Sequence, residues 1–157
     1  MKIYNSLTNK KEEFKPLHDN EVRMYACGVT VYDECHLGHL RSAVVLDVVR
    51  NYFRYRGYKV KFLKNITDID DKILNRAREE LKTNKGLKDL REAVEFISGK
   101  YTNEYYEDME RFDIEKADIE PRATEHIPDM IKMIEALIEK GHAYISGGDV
   151  YFDVSSF

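Results

Sequence analysis

The sequence contains no tryptophan, two cysteines, three prolines and eight glycines in 157 residues. Cys27 and Cys35 are too few for a disulfide scaffold, and the low glycine and proline content excludes collagen-like and low-complexity chains. Long apolar runs are also missing. The longest, Ala43-Val44-Val45-Leu46, is interrupted by Asp47, far short of the roughly 20 residues that cross a bilayer. Met1 to Ser6 offer no apolar core for a secretory leader. Neither sign of charge dominates: 25 Lys and Arg stand against 29 Asp and Glu, a net charge of −4. That excludes a basic field over the whole chain, so any phosphate chemistry belongs to a local site. What is present, 43% hydrophobic and 34% charged residues, suits a globular chain of about one domain with a real core. The expectation is a cytoplasmic protein with no membrane segment.

Periodicity organises the chain. Val22 to Ala26 alternates as a strand and ends at Gly28. A loop leads to a helix beginning near Gly38-His39, where Leu40, Val44, Val45, Val48, Val49, Tyr52 and Phe53 predict a wide buried face. Gly57 stops that helix, and Lys59 to Ile66 reads as a second strand. The unit spans about 45 residues, enough for one right-handed βαβ crossover. Thr67 or Asp68 is predicted to cap the next helix, with Asp70 and Asp71 in its first turn. A long helix carrying Leu90, Val94, Ile97, Tyr101, Tyr105 and Met109 on one side follows the break at Thr83 to Gly86. Asp113 to Ala123 reads as connector, and Thr124 to Lys140 as a helix closed by Gly141. Two strand-like runs flank Gly147-Gly148, a hairpin signal.

Chemistry concentrates at His36-Leu37-Gly38-His39, where the loop after the first strand meets a helix amino terminus. Such a terminus offers free N–H groups and a positive dipole end to an anion. Open α/β sheets bind ligands at the carboxyl ends of their strands. Gly38 leaves room for a flat base or sugar, and two histidines three apart share a helix face as phosphate donors. A pair of solvent-exposed cap histidines is the plainer alternative. The usual phosphate loops, G-x-x-x-x-G-K-[ST] and G-x-G-x-x-G, are absent. Cys27, at the end of the first strand, either faces the same crevice or is a small packed hydrophobe. A zinc site made of Cys27, Cys35, His36 and His39 is disfavoured by their spacing. Thr67-Asp68-Ile69-Asp70-Asp71-Lys72 reads first as helix capping, and Ile73 in place of Gly excludes an EF-hand.

Together these segments resemble the amino-terminal part of bacterial cysteinyl-tRNA synthetases, class I aminoacyl-tRNA synthetases. The resemblance rests on Ile3 to Thr8, Glu13 to Pro16, Met24 to Asp33 and the HLGH signature at His36 to His39. Asn65 to Lys72, Glu120 to Ile127, Gly141 to Tyr144 and Gly148 to Val154 carry it further. Essentially the whole chain is covered. Val29 departs from the Pro or Ile of many members. The only Lys-Met pair, Lys132-Met133, falls within a predicted helix, so the family's KMSKS loop lies outside these residues.

The resemblance implies the first half of a Rossmann-like catalytic domain at residues 1–118 and the start of a connective-peptide insertion at 119–157. It implies cysteine activation by ATP with Mg2+, then transfer of cysteine to tRNA(Cys), by an enzyme expected to be a monomer. His36, Gly38 and His39 would bind the nucleotide, with His36 and His39 catalytic through the leaving pyrophosphate. Cys27 would be one of four ligands of a Zn2+ ion that selects the cysteine thiolate, and Gly28, Thr30 and Thr67 would line the amino-acid pocket. Cys35 matches no ligand position. A complete enzyme would be a few times longer, and the 157 residues alone inactive. Two alternatives stand beside this: a non-catalytic nucleotide-binding module, and a ligase joining cysteine to an amino sugar.

Overall fold

The computed structural model describes residues 1–157. A short antiparallel hairpin, β1 (Lys2–Asn5) and β2 (Lys10–Glu13), opens the chain. Its strands are four residues each and almost wholly exposed, so they lack the alternation that marks a strand in sequence. Phe14, just past β2, anchors it, its ring 4.8 Å from that of Phe53 and edge-on to Tyr58.

The centre is a parallel pair, β3 (Glu21–Ala26) and β4 (Lys59–Lys64), in register from Glu21 opposite Lys59 to Ala26 opposite Lys64. Helix α1 (Leu37–Tyr55) makes the crossover. It ends where the sequence predicts, with Gly57 at φ 86°. Its buried side differs from the expected one. Ala43, Arg50 and Phe53 are buried, whereas Val44, Val45, Val48 and Tyr52 are exposed. Only one flank of the helix faces the two strands, so the apolar stripe is wider than the surface available to cover it.

After β4 come α2 (Asp71–Thr83) and α3 (Leu90–Arg111), which pack on each other. Val31, Ile66, Ile73, Ala77, Ala93, Ile97 and Tyr101 form the main core, and Ala43, Tyr105 and Met109 a second cluster under α1. Neither Thr67 nor Asp68 caps α2. Asp70 does, accepting from the Lys72 N–H at 2.9 Å. Asp68 is buried instead and accepts from the Thr124 N–H at 3.0 Å and the Thr124 hydroxyl at 2.6 Å.

The stretch read as connector has a structural task. Its last part runs parallel to β4: the Lys64 N–H donates to the Ile119 carbonyl, the Ile66 N–H to that of Pro121, and the Ala123 N–H to that of Ile66. Leu63 pairs with Ile119 and Ile66 with Arg122, so the sheet gains a third, irregular parallel member. Buried Arg50 fastens the approach to it, donating to the carbonyls of Lys116 at 2.7 Å and Glu115 at 2.9 Å. A 3-10 turn (Ala123–His126) then leads into α4 (Ile127–Glu139). The hairpin β5 (Ala143–Ser146) and β6 (Asp149–Phe152) turns on Gly147 and Gly148, at φ 63° and 92°, the positive values a tight hairpin requires. No helix is long and apolar enough to cross a membrane.

Candidate functional site

Two loops meet at the carboxyl ends of β3 and β4. The first, Cys27 to His36, leaves β3 and enters α1; the second, Asn65 to Asp70, leaves β4 and enters α2. Parallel strands put both on the same edge of the sheet, and backbone bonds join them. The Thr67 N–H donates to the Val29 carbonyl at 3.0 Å, and the Val31 N–H to the Thr67 carbonyl at 3.3 Å. Thr30 and Thr67 thus face each other as a parallel bridge.

His36 is the N-cap of α1. Its Nδ1 accepts from the Gly38 N–H at 3.0 Å, and the His39 Nδ1 accepts from the His36 N–H at 3.3 Å, a reciprocal capping box made of two imidazoles. Their rings stack with centroids 4.0 Å apart. Because both Nδ1 atoms accept, each neutral ring carries its proton on Nε2. Neither Nε2–H has a hydrogen-bond partner within the chain. Partial burial, aided by the charges of His36 and Lys64, holds the His39 pKa below the ordinary histidine value. Gly38 is exposed, and a Cβ there would come within 2.8 Å of the His36 ring.

Cys27 is exposed, its Sγ 3.7 Å from the Gly28 carbonyl oxygen. Cys35 is half-buried against the cluster of Ala43, Tyr105 and Met109, and burial pushes its thiol pKa up. The structure thus sets Thr30 opposite Thr67 in the bridge between the two loops, sets His36, Gly38 and His39 at the neighbouring helix start, and leaves Cys27 and Gly28 at the beginning of the β3 loop. No three His, Cys, Asp or Glu side chains gather where they could hold a metal ion. These residues alone do not fit a resident zinc.

Two groups escaped sequence reasoning. Lys64 is buried, donates to the Tyr105 hydroxyl at 2.6 Å, and has its ammonium pKa lowered by burial, with Glu120, Cys35 and Cys27 opposing. A lysine at the end of a strand ordinarily reads as solvated. Asn65 sends Oδ1 to the Gly28 N–H at 2.8 Å and to the Tyr25 hydroxyl at 3.1 Å, and Nδ2 to the Thr67 hydroxyl at 3.2 Å. Nothing in its spacing announces that role.

A parallel strand–helix–strand unit with its conspicuous polar groups at the carboxyl strand ends defines the chain as a Rossmann-like α/β protein. Residues 13–157 match the family described as tRNA synthetases class I (C) catalytic domain, and the chain belongs to that family. The cysteine–tRNA ligase of Thermodesulfovibrio yellowstonii is 56% identical over 161 residues, covering 100% of this chain and 31% of that protein. That of Persephonella marina is 52% identical over 157 residues, covering 100% and 30%. The chain therefore spans under a third of these relatives' length. Among solved structures, a protein described as an arginyl-tRNA synthetase from Campylobacter jejuni superposes with a TM-score of 0.67 at 16% identity, over 87% of this chain and 38% of that one. At that identity the likeness shows the fold.

Proposed function

We propose that these residues serve a cysteine–tRNA ligase, which activates cysteine with Mg·ATP and passes it to tRNA(Cys) in the cytoplasm. The observation that supports this most is the stacked histidine pair at the start of α1, each ring bonded to a backbone N–H through Nδ1 and so left with its proton on Nε2, in a chain of this family. Activation joins the cysteine carboxylate to the α-phosphorus of ATP and expels pyrophosphate. Negative charge grows on the leaving oxygens, and fixed N–H donors act where charge develops. His36 and His39 supply two such donors, and the start of α1 adds a positive dipole end. A neutral His39 donates without needing a proton from solvent. Gly38 leaves the approach to the ring pair open for the nucleotide.

Gly28, Thr30 and Thr67 line the amino-acid side of the site, on the β3 loop and its partner. Cys27 would supply one thiolate to a zinc whose other ligands would come from elsewhere in the full-length protein, and zinc's preference for thiolate over hydroxyl would distinguish cysteine from serine. In this reading residues 1–118 form the first half of the catalytic domain and 119–157 open the insertion, residues 119–123 still pairing with the β4 edge of the sheet as the chain leaves it.

The full-length gene product, assayed for ATP–pyrophosphate exchange, is expected to respond to cysteine and not to serine. Exchange with every amino acid alike, or with none, overturns the proposal.

A further inference from the structure

Asn65 is the one side chain that bonds to both loops of the candidate site. Its oxygen takes the Gly28 N–H and the Tyr25 hydroxyl, and its nitrogen gives a hydrogen to Thr67 Oγ1. The amide orientation is fixed chemically: the Gly28 N–H can only donate, so the atom facing it must be the carbonyl oxygen. The nitrogen is then committed to Thr67. Thr67 Oγ1 receives that hydrogen, and its own O–H proton is left to give away. The fit between the loops is tight as well, for a Cβ on Gly28 would lie 1.4 Å from the backbone carbonyl oxygen of Asn65. Gly28 is thus held against Asn65 by contact on one side and a hydrogen bond on the other.

We propose that Asn65 is a positioning residue for the amino-acid pocket. It sets the distance between Gly28 and Thr67 and polarises the pocket, so that the Thr67 hydroxyl offers its hydrogen to an anionic group of the bound amino acid, its carboxylate or thiolate. Asn65 itself touches no substrate in this scheme; it acts through Gly28 and Thr67. The inference rests on the cysteine-activating reading for the identity of the ligand, and on the three hydrogen bonds for the clamp.

The test uses the full-length gene product and two variants. Asn65→Ala removes all three bonds. Asn65→Asp keeps the acceptor for Gly28 and Tyr25 but loses the donor to Thr67. In cysteine-dependent pyrophosphate exchange, Asn65→Ala is expected to raise the KM for cysteine by about tenfold or more, the size of one lost hydrogen bond to a charged ligand. The KM for ATP should stay within about twofold, because the helix start is untouched. Asn65→Asp is expected to raise the cysteine KM comparably, through the lost donor to Thr67. Equal loss toward both substrates, or no loss in either variant, overturns the proposal.

Hydrogen exchange gives a second readout independent of activity. Peptides spanning residues 26–31 should lose protection in Asn65→Ala and keep it in Asn65→Asp, while peptides from α3 do not change. Unchanged protection at 26–31 in Asn65→Ala refutes the clamp. Loss of protection in a protein that never responds to cysteine upholds the clamp and refutes cysteine as its ligand, which separates the two failures.

Discussion

His36 begins a helix and aims a donor outward with the same ring. Its Nδ1 satisfies the Gly38 N–H, one of the groups left free at any helix start, which commits the remaining proton to Nε2. Substitutions can separate the two tasks. His36→Ala is expected to lose about 1 kcal/mol of stability, as a deleted N-cap does, and about 10²-fold in pyrophosphate exchange by the full-length product, as a lost transition-state donor does. Asparagine is a strong N-cap, so His36→Asn should recover the stability in urea unfolding while exchange stays impaired. Recovery of both together would contradict a role for the ring beyond capping. At this scale the pairing of two histidines at a helix start was legible from their spacing. The direction of their protons was not, because it depends on which nitrogen meets which backbone N–H. Asn65 was illegible for a similar reason: its partners at Gly28 and Tyr25 lie 37 and 40 positions away.

Among the elements, the extents of the long helices and of the parallel pair followed the sequence pattern, and the errors of placement along the chain lie at the junctions. The acidic run Thr67 to Asp71 holds several residues able to cap α2, and local sequence does not rank them. Asp70 takes the cap because Asp68 is drawn into the interior by Thr124, 56 positions on. The third member of the sheet was hidden likewise: Asp118 to Ala123 contains a proline and little alternation, and it lies along β4 through backbone bonds that the sequence does not display. Asp68 is its fastening. Asp68→Ala leaves the Thr124 N–H without its acceptor and is expected to cost about 2 kcal/mol. Asp68→Asn, which keeps one oxygen, should cost about half that. Urea unfolding of the two variants checks the order; equal stability of both with the parent chain would show that the sheet's third member needs no such tie.

The whole chain combines a parallel sheet, its crossover helix and a trailing helix–hairpin segment, a general plan legible from βαβ spacing and turn glycines. The exposed valines of α1 were predicted to be buried because periodicity reports an apolar face without reporting how much of it neighbouring elements reach. Family membership rests on motifs spread along the chain and on the match over residues 13–157. Cysteine activation alone would also suit a ligase that joins cysteine to an amino sugar, so the acceptor decides the central claim. The direct measurement is charging of tRNA(Cys) with labelled cysteine by the full-length gene product. Cysteinyl-tRNA forming in an ATP-dependent reaction, and failing to form with serine, is the predicted result. Cysteine-dependent pyrophosphate release with no label on tRNA, and label on an amino sugar instead, would contradict it.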